Sequence, residues 1–497
     1  MSRVNRNATL VTVPLDPTDT TPLFRQLYEE FRRRILDGTL PPGMRLPATR
    51  ALADELRISR NTVLNAYEQL LAEGYLEGRA RSGTYVPPKL PEEMMQVRRK
   101  SNQRRPATAT RRELSQRGEL LARSSVRPRC AGGPTRPLQP GVPALDAFPF
   151  EAWGRLVSRH YHRPSRELLD YADPAGYHSL RKAITEHLRP ARGVNCDPEQ
   201  VLIITGSQQG IDLIARMLLD PGDAVWVEDP GYLGARAALA SAGARVVGVP
   251  VDAAGLDVCA GNLRSRNARL VHVTPSHQYP LGVTLSLPRR LALLDWAHRA
   301  NAWIVEDDYD SEFRYAGRPL AALQGMDRDG RVLYLGTFSK ALFPSLRLGY
   351  LVVPSDLANA FVAARAVMDR QTPTLTQAVV ADFMNEGHFI RHIRRMRTLY
   401  RERQEILLRA AKRELDGLVN VSPCETGMHL MGWLEGERED RTASRAAAQA
   451  GVETPPLSSY RIEHSDRGGL LLGYAGWDAR QIHDGVRRLG RALRDHR

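Results

Sequence analysis

Residues 303–315 read WIVEDDYDSEFRY and residues 332–350 read VLYLGTFSKALFPSLRLGY. Each begins as an apolar run of strand length and ends in groups that carry chemistry. The first ends in Glu306, Asp307, Asp308 and Tyr309, the second in Thr337, Ser339, Lys340 and Arg347. The same pattern stands upstream in QVLIITGSQQG from Gln200, DAVWVEDPGY from Asp223 and ARLVHVTPSHQ from Ala268. Near-continuous apolar strands suit a sheet covered on both faces, so the spacing predicts a mainly parallel α/β sheet. Such a sheet places its ligand site beyond the carboxyl ends of the strands, where these polar groups gather. Neither G-x-G-x-x-G nor G-x-x-x-x-G-K-[ST] occurs, which leaves dinucleotide and P-loop chemistry without local support.

The gathered groups can be tested against candidate ligands. GSQQG opens a helix, so Gly206, Ser207 and Gln208 place backbone N–H groups and a hydroxyl at a helix N-terminus, a phosphate cradle. Glu306, Asp307 and Asp308 alone could bind a hard cation or form a solvated strand end. Tyr309, Lys340 and Arg347 change that balance. Pyridoxal phosphate needs a lysine for its aldehyde, a carboxylate at the ring nitrogen, a donor at the phenolic oxygen, a stacking aromatic and a cationic phosphate clamp. Lys340, Asp307, Tyr309, Tyr232 and Arg347 can fill those roles in that order.

Upstream of this body the composition changes. The formal net charge is +14 over 497 residues, and it is unevenly spread. Residues 1–86 carry 12 Lys or Arg against 10 Asp or Glu, whereas residues 87–140 carry 13 against 4. The second stretch is rich in Pro, Arg, Ser and Gln and reads as a flexible basic linker able to track a phosphate backbone. The expected domains are therefore a head over 1–86, a linker over 87–140 and a body over 141–497. The four cysteines, Cys130, Cys196, Cys259 and Cys424, form no C-x-x-C pair. That disfavours a zinc site or a disulfide framework, no metal is expected, and a reducing cytoplasm is. MSRVNRNATLVTVPLD lacks the apolar core of a secretory signal, and no run approaches the ~18 apolar residues of a membrane span.

In the head, Leu23, Leu27, Phe31 and Ile35 repeat at helical spacing between Pro22 and Gly38. Thr49 is the expected cap of a second helix, TRALADEL, and Ser59 of a third, RNTVLNAYEQLLAEG. The third helix is polar at its start and apolar behind, which suits insertion into a major groove. YLEGRARSGTYV follows as a hairpin wing with Arg79 and Arg81 at its tip.

GTLPPGMRLPATRALADELRISRNTVLNAYEQLLAEGYLEGRARSGTYV, residues 38–86, resembles the GntR-family winged helix-turn-helix. The resemblance implies that Arg50, Ser59, Arg60, Asn61 and Thr62 face double-stranded DNA, with the Gly83 wing region at the minor groove. In the body, YADPAGYHSLR, TGSQQGIDL, EDPGY, TPSHQYPLG, EDDYDSEFRY and GTFSKALFPSLRLGY resemble fold-type I aminotransferases. Head plus body is similar to the MocR/GabR subfamily of GntR regulators. That resemblance implies a large aminotransferase-like domain with a smaller C-terminal α+β part. By it Lys340 carries the Schiff base, Asp307 meets the pyridine nitrogen, Tyr309 meets the phenolic oxygen and Tyr232 stacks on the ring. Ser207, Gln208, Thr337 and Arg347 would hold the phosphate, with Tyr171 reaching it from the neighbouring subunit of a head-to-tail homodimer.

Two positions depart from the aminotransferase pattern. Where Asn-Pro-x-Gly is usual, this chain has Tyr279-Pro280-Leu281-Gly282, so His277, Gln278 or Tyr309 must satisfy the phenolic oxygen. Where an arginine usually grips the substrate carboxylate, LLLGYAG presents Leu471. Three functions follow: a ligand-responsive regulator, favoured by the joint motifs; a working aminotransferase with a DNA-binding head; and an architectural DNA-binding protein with an empty body. Leucine cannot pair a carboxylate, so efficient transamination is not expected. The effector is then an amine whose acidic group docks elsewhere, with Arg461 or Arg314 as candidates, or pyridoxal phosphate itself.

Overall fold

The computed structural model describes residues 13–79, 82–90, 113–123, 135–315, 320–464 and 467–495. The chain folds as two compact units, Met1–Arg112 and Glu113–Arg497.

The first unit is a three-helix bundle with a hairpin. Helix α1 (Leu23–Leu36) buries Leu27, Phe31 and Ile35, and it ends before Gly38, whose φ of +81° turns the chain. Leu23 is only half-buried. Helices α2 (Thr49–Leu56) and α3 (Arg60–Ala72) are joined by a tight turn in which Arg57 adopts the left-handed conformation. Phe31 and Tyr67 meet edge to face at 5.8 Å, and Tyr67 donates to the Pro47 carbonyl at 3.1 Å. Burying Phe31 to 1% exposure contributes about 1.5–3 kcal/mol. Ser59 caps α3 as expected, its Oγ accepting from the Thr62 N–H at 3.0 Å. Thr49 does not cap α2. Ala48 holds the extended cap conformation, so the Thr49 hydroxyl lies one residue too late. Strands β1 (Glu77–Arg79) and β2 (Gly83–Tyr85) pair antiparallel as the wing. Arg81 lies outside the described residues.

The second unit is built on an eight-stranded mixed sheet of order β3-β10-β9-β8-β7-β4-β5-β6. Its strands are β3 (Val201–Ile204), β4 (Ala224–Asp229), β5 (Arg245–Asp252), β6 (Gly255–Leu256), β7 (Ala268–Val273), β8 (Trp303–Asp308), β9 (Val332–Thr337) and β10 (Gly349–Val352). β4 runs parallel to β5 and β7, β7 to β8, and β8 to β9; β10 and the short β6 run against their neighbours. Successive residues supply opposite faces. Leu202 and Ile204 join one apolar cluster with Val225, Leu270 and Leu335, while Val201 and Ile203 join another with Tyr334 and Tyr350. On the far side of β4, Trp226 stacks on Trp296 at 4.0 Å. A smaller antiparallel sheet, β11 (Val419–Val421), β12 (His429–Leu434) and β13 (Gly469–Gly473), forms the C-terminal α+β part with the later helices.

The stretch read as a flexible linker contains helix α4 (Gln116–Arg123), which belongs to the second unit. Arg117 Nε donates to the Ser241 carbonyl at 2.8 Å, and Nη2 reaches that of Ala242. Those carbonyls end another helix, Leu233–Ser241, where a cation meets the negative end of the helix dipole. Residues 91–112 and 124–134 of that stretch lie outside the described residues.

Candidate cofactor pocket and nucleic-acid interface

The carboxyl ends of β3, β4, β7, β8 and β9 enclose a cavity of about 320 Å³. It is lined by Ser207, Gln208, Tyr232, Asp307, Tyr309, Thr337, Lys340 and Arg347, so eight residues singled out from the sequence come together. The ninth, Tyr171, does not line it. Tyr171 is 77% exposed, with the Arg370 guanidinium 4.4 Å from its ring centre.

Lys340 lies in the short helix Phe338–Ala341 directly after β9, and its Nζ donates to the Gly141 carbonyl at 2.8 Å. Thr337 caps that helix by accepting from the Ser339 N–H at 3.1 Å. Asp307, at the end of β8, is 4% exposed. Its Oδ2 lies 3.3 Å from His272 Nε2, and its Oδ1 has no hydrogen-bond partner among the described residues. A buried carboxylate oxygen left unpaired is costly, so this atom fits a site built to receive a protonated ligand nitrogen.

At the other end of the cavity, Gly206 precedes the helix Ser207–Leu218 with a φ of +130°, which a side chain would strain. The Arg347 guanidinium lies beside it, 3.7 Å from where a Cβ would stand, and no carboxylate among the described residues pairs with it. Arg347 itself has a φ of +50°. An unpaired guanidinium at a helix N-terminus fits a phosphate dianion. The Gln208 amide is tied to the Gly234 carbonyl at 2.9 Å, so Gln208 offers its backbone rather than its side chain. Burial raises the Tyr232 phenol to about 12, leaving a neutral ring on the cavity wall.

Among the three candidates for the phenolic oxygen, the geometry separates one. The Gln278 amide donates to the Pro230 and Tyr279 carbonyls, each at 2.8 Å, and its Oε1 accepts from Leu281 N–H. His277 stands behind the wall, and Tyr309 lines it. Leu471 is fully buried with Met431 and Leu457, in a small apolar cluster against which Tyr279 and Tyr460 pack. Arg314 is paired with Glu425 at 2.5 Å, and neither it nor Arg461 lines the cavity.

In the head, Arg50, Ser59, Arg60 and Asn61 are exposed, and Thr62 is half-buried under the Ser59 hydroxyl. Gly83 is exposed with a φ of +114°, and a Cβ there would stand 2.9 Å from Arg45 Nε. Arg45 escaped the sequence reading because nothing in GMRLPA links it to the wing; the backbone bridge to Tyr85 does. Arg79 is paired with Glu77 at 2.6 Å and lies over the Tyr85 ring.

The family model for bacterial regulatory proteins of the gntR family matches residues 23–86, and that for aminotransferase class I and II matches residues 140–489. The probable rhizopine catabolism regulatory protein MocR of Rhizobium meliloti is 43% identical over 96% of this chain and 95% of its own length. The chain belongs to the MocR-type GntR regulators. Another member, the pyridoxine biosynthesis transcriptional regulator PdxR of Corynebacterium glutamicum, is 32% identical over 94% of this chain and 95% of its own. Among solved structures, the α-aminoadipate aminotransferase LysN of Thermus thermophilus, complexed with N-(5'-phosphopyridoxyl)-L-leucine, matches with a TM-score of 0.67. It is 32% identical and covers 72% of this chain and 92% of its own.

Pyridoxal phosphate is thus the cofactor of this MocR-type body, and the orphaned Asp307 oxygen and the Arg347 cradle fit it. When bound, it supplies an aldehyde that condenses with amines and a ring that withdraws electrons. The head binds DNA. Arg60→Ala is expected to weaken operator binding by about 1–3 kcal/mol, the worth of one bidentate base contact. Loss of an exposed side chain costs under about 0.5 kcal/mol of stability. Operator titration at fixed salt, beside a thermal melt, checks both; unchanged affinity would remove α3 from the groove.

Proposed function

We propose that this chain is a cytoplasmic transcription regulator that binds promoter DNA through its head and reads pyridoxal phosphate, or a small amine condensed with it, through its body. The observation that carries this reading is the pairing of a cavity lined by eight expected cofactor residues with a buried leucine at the usual carboxylate clamp. In the pocket Lys340 attaches the cofactor, Asp307 holds the ring nitrogen, Tyr232 stacks and Tyr309 meets the phenolic oxygen. Ser207, Gln208, Thr337 and Arg347 bind the phosphate. In the head Arg50, Ser59, Arg60, Asn61 and Thr62 meet DNA, with Gly83 in the wing.

Leu471 lies in an apolar cluster, and an unpaired carboxylate brought to it would cost several kcal/mol. The cofactor itself needs no such clamp, so it ranks first as the signal, ahead of an amine whose acid group docks elsewhere. The pyridoxine connection in the name of PdxR agrees with that order. The exposed Tyr171 supports a head-to-tail homodimer in which that ring reaches the partner's phosphate site. Tyr171→Phe is expected to loosen cofactor retention in the dimer, and a stable monomer with full cofactor occupancy would contradict the crossing.

The deciding experiment titrates apo-protein on its own promoter with pyridoxal phosphate, then with amines and α-amino acids. Operator affinity should change with cofactor alone, and no common α-amino acid should support multiple turnover with an oxo acid. Efficient turnover would favour an aminotransferase carrying a DNA-binding head.

A further inference from the structure

Tyr279 stands where an asparagine would meet the cofactor, and its hydroxyl donates to that of Tyr460 at 3.2 Å. Behind the pocket wall lies a buried pair that takes no part in the contacts above. His277, in the loop after β7, and Asp310, just past β8, meet at 2.8 Å between Nδ1 and Oδ2. Their side chains are 0% and 1% exposed. The Tyr309 hydroxyl lies 2.9 Å from the same Nδ1.

One ring nitrogen carries one hydrogen or one lone pair, never both. A bare Nδ1 would face the Asp310 carboxylate lone pair to lone pair, so Nδ1 carries the hydrogen and donates it to Asp310. It then has no lone pair for the hydrogen of Tyr309. The phenol oxygen can only share in accepting that N–H, which turns its own hydrogen away from His277.

We propose that Asp310 and His277 are positioning residues that hold the Tyr309 hydroxyl as a hydrogen-bond donor into the pocket, in place of the missing asparagine. The proposal rests on the assignment of Tyr309 to the phenolic oxygen of pyridoxal phosphate. Burial pushes the Asp310 carboxyl above its ordinary value, and the charge on His277 and the hydrogen bond to it work against that rise. Burial opposes charge on His277, but Asp310 beside it prevails and raises the imidazole to about 10. The other groups facing the ring are Cys424, Tyr309 and His429, with Lys340 acting on Asp310 from beyond. Burial, and then the charge on His277, lower His429 to about 3, so that second ring stays neutral. Burial also holds the Tyr309 phenol well above its ordinary value, so it keeps a hydrogen to give.

The test uses the full-length protein with Tyr309→Phe, Asp310→Asn and the double variant. In wild-type apo-protein, NMR should find a strongly deshielded His277 Nδ1 proton that persists through neutral pH. Asp310→Asn should shift or lose it. Cofactor retention, read from the visible band, should fall roughly ten- to a hundred-fold in each single variant, the worth of a hydrogen bond to a charged oxygen. The double variant should lose no more than Tyr309→Phe alone, because both changes remove one interaction. Additive losses, unchanged retention in a folded Asp310→Asn, or no Nδ1 proton in wild type would overturn the proposal. A wild type that never develops the visible band would overturn the cofactor assignment itself, and this one with it.

Discussion

Lys340→Ala is expected to abolish covalent capture of pyridoxal phosphate. Borohydride treatment followed by mass spectrometry should take the wild type to a fixed cofactor adduct on Lys340 and leave the variant unmodified. The visible band should vanish with it. Lys340 is the amine of the cavity wall, delivered there by the short helix after β9 and held by the Gly141 carbonyl. The remaining hold is non-covalent: the helix N-terminus at Ser207, the Arg347 guanidinium and the orphaned Asp307 oxygen. Weak, dialysable cofactor binding should therefore persist in a folded variant, although the buried Asp310 loses the favourable charge of Lys340. An adduct that survives in the variant would move the reactive amine elsewhere.

Arg192→Met is expected to lower stability by about 3–5 kcal/mol, because it leaves a buried carboxylate without its partner. Arg192 ends the helix His178–Arg192 and is 5% exposed. Its Nε donates to Asp308 Oδ2 at 2.8 Å, and its other nitrogens reach the Leu320 carbonyl and Ser276 Oγ. Burial opposes the charge on Arg192, but Asp308 prevails and keeps it protonated. Tyr334 donates to the same Asp308 oxygen at 2.5 Å. Without the guanidinium, Asp308 would keep one hydroxyl donor and an Oδ1 that already lacks a partner. Asp308 adjoins Asp307 and Tyr309, so the loss should also loosen cofactor retention. Denaturant unfolding and the visible band measure the two effects. A stability change under about 1 kcal/mol would show that the ion pair is dispensable.

Much of this protein was legible from its sequence because the signals are local. Continuous apolar strands ending in chemistry define a buried, mainly parallel sheet, and the strand-end rule collects Asp307, Tyr309, Lys340 and Ser207 at one edge. Ser59 caps α3 by a bond spanning three residues, which sequence spacing alone can specify. What spacing cannot specify is which distant groups meet. Thr49 and Ala48 differ by one residue in cap position, a choice made by the backbone entering α2. A helix in the supposed linker is held by carbonyls more than a hundred residues downstream. Gln278 had the right chemistry for the phenolic oxygen, yet its amide is consumed by the Pro230 and Tyr279 carbonyls. His277 and Asp310 stand 33 positions apart and meet only because β7 and β8 are paired neighbours. The sequence alone determined the fold class, the cofactor and which residues gather at one cavity, since each rests on short-range pattern and residue chemistry. Tertiary structure alone decided which buried polar groups are already partnered and which still face the pocket, because that depends on packing between segments far apart in the chain.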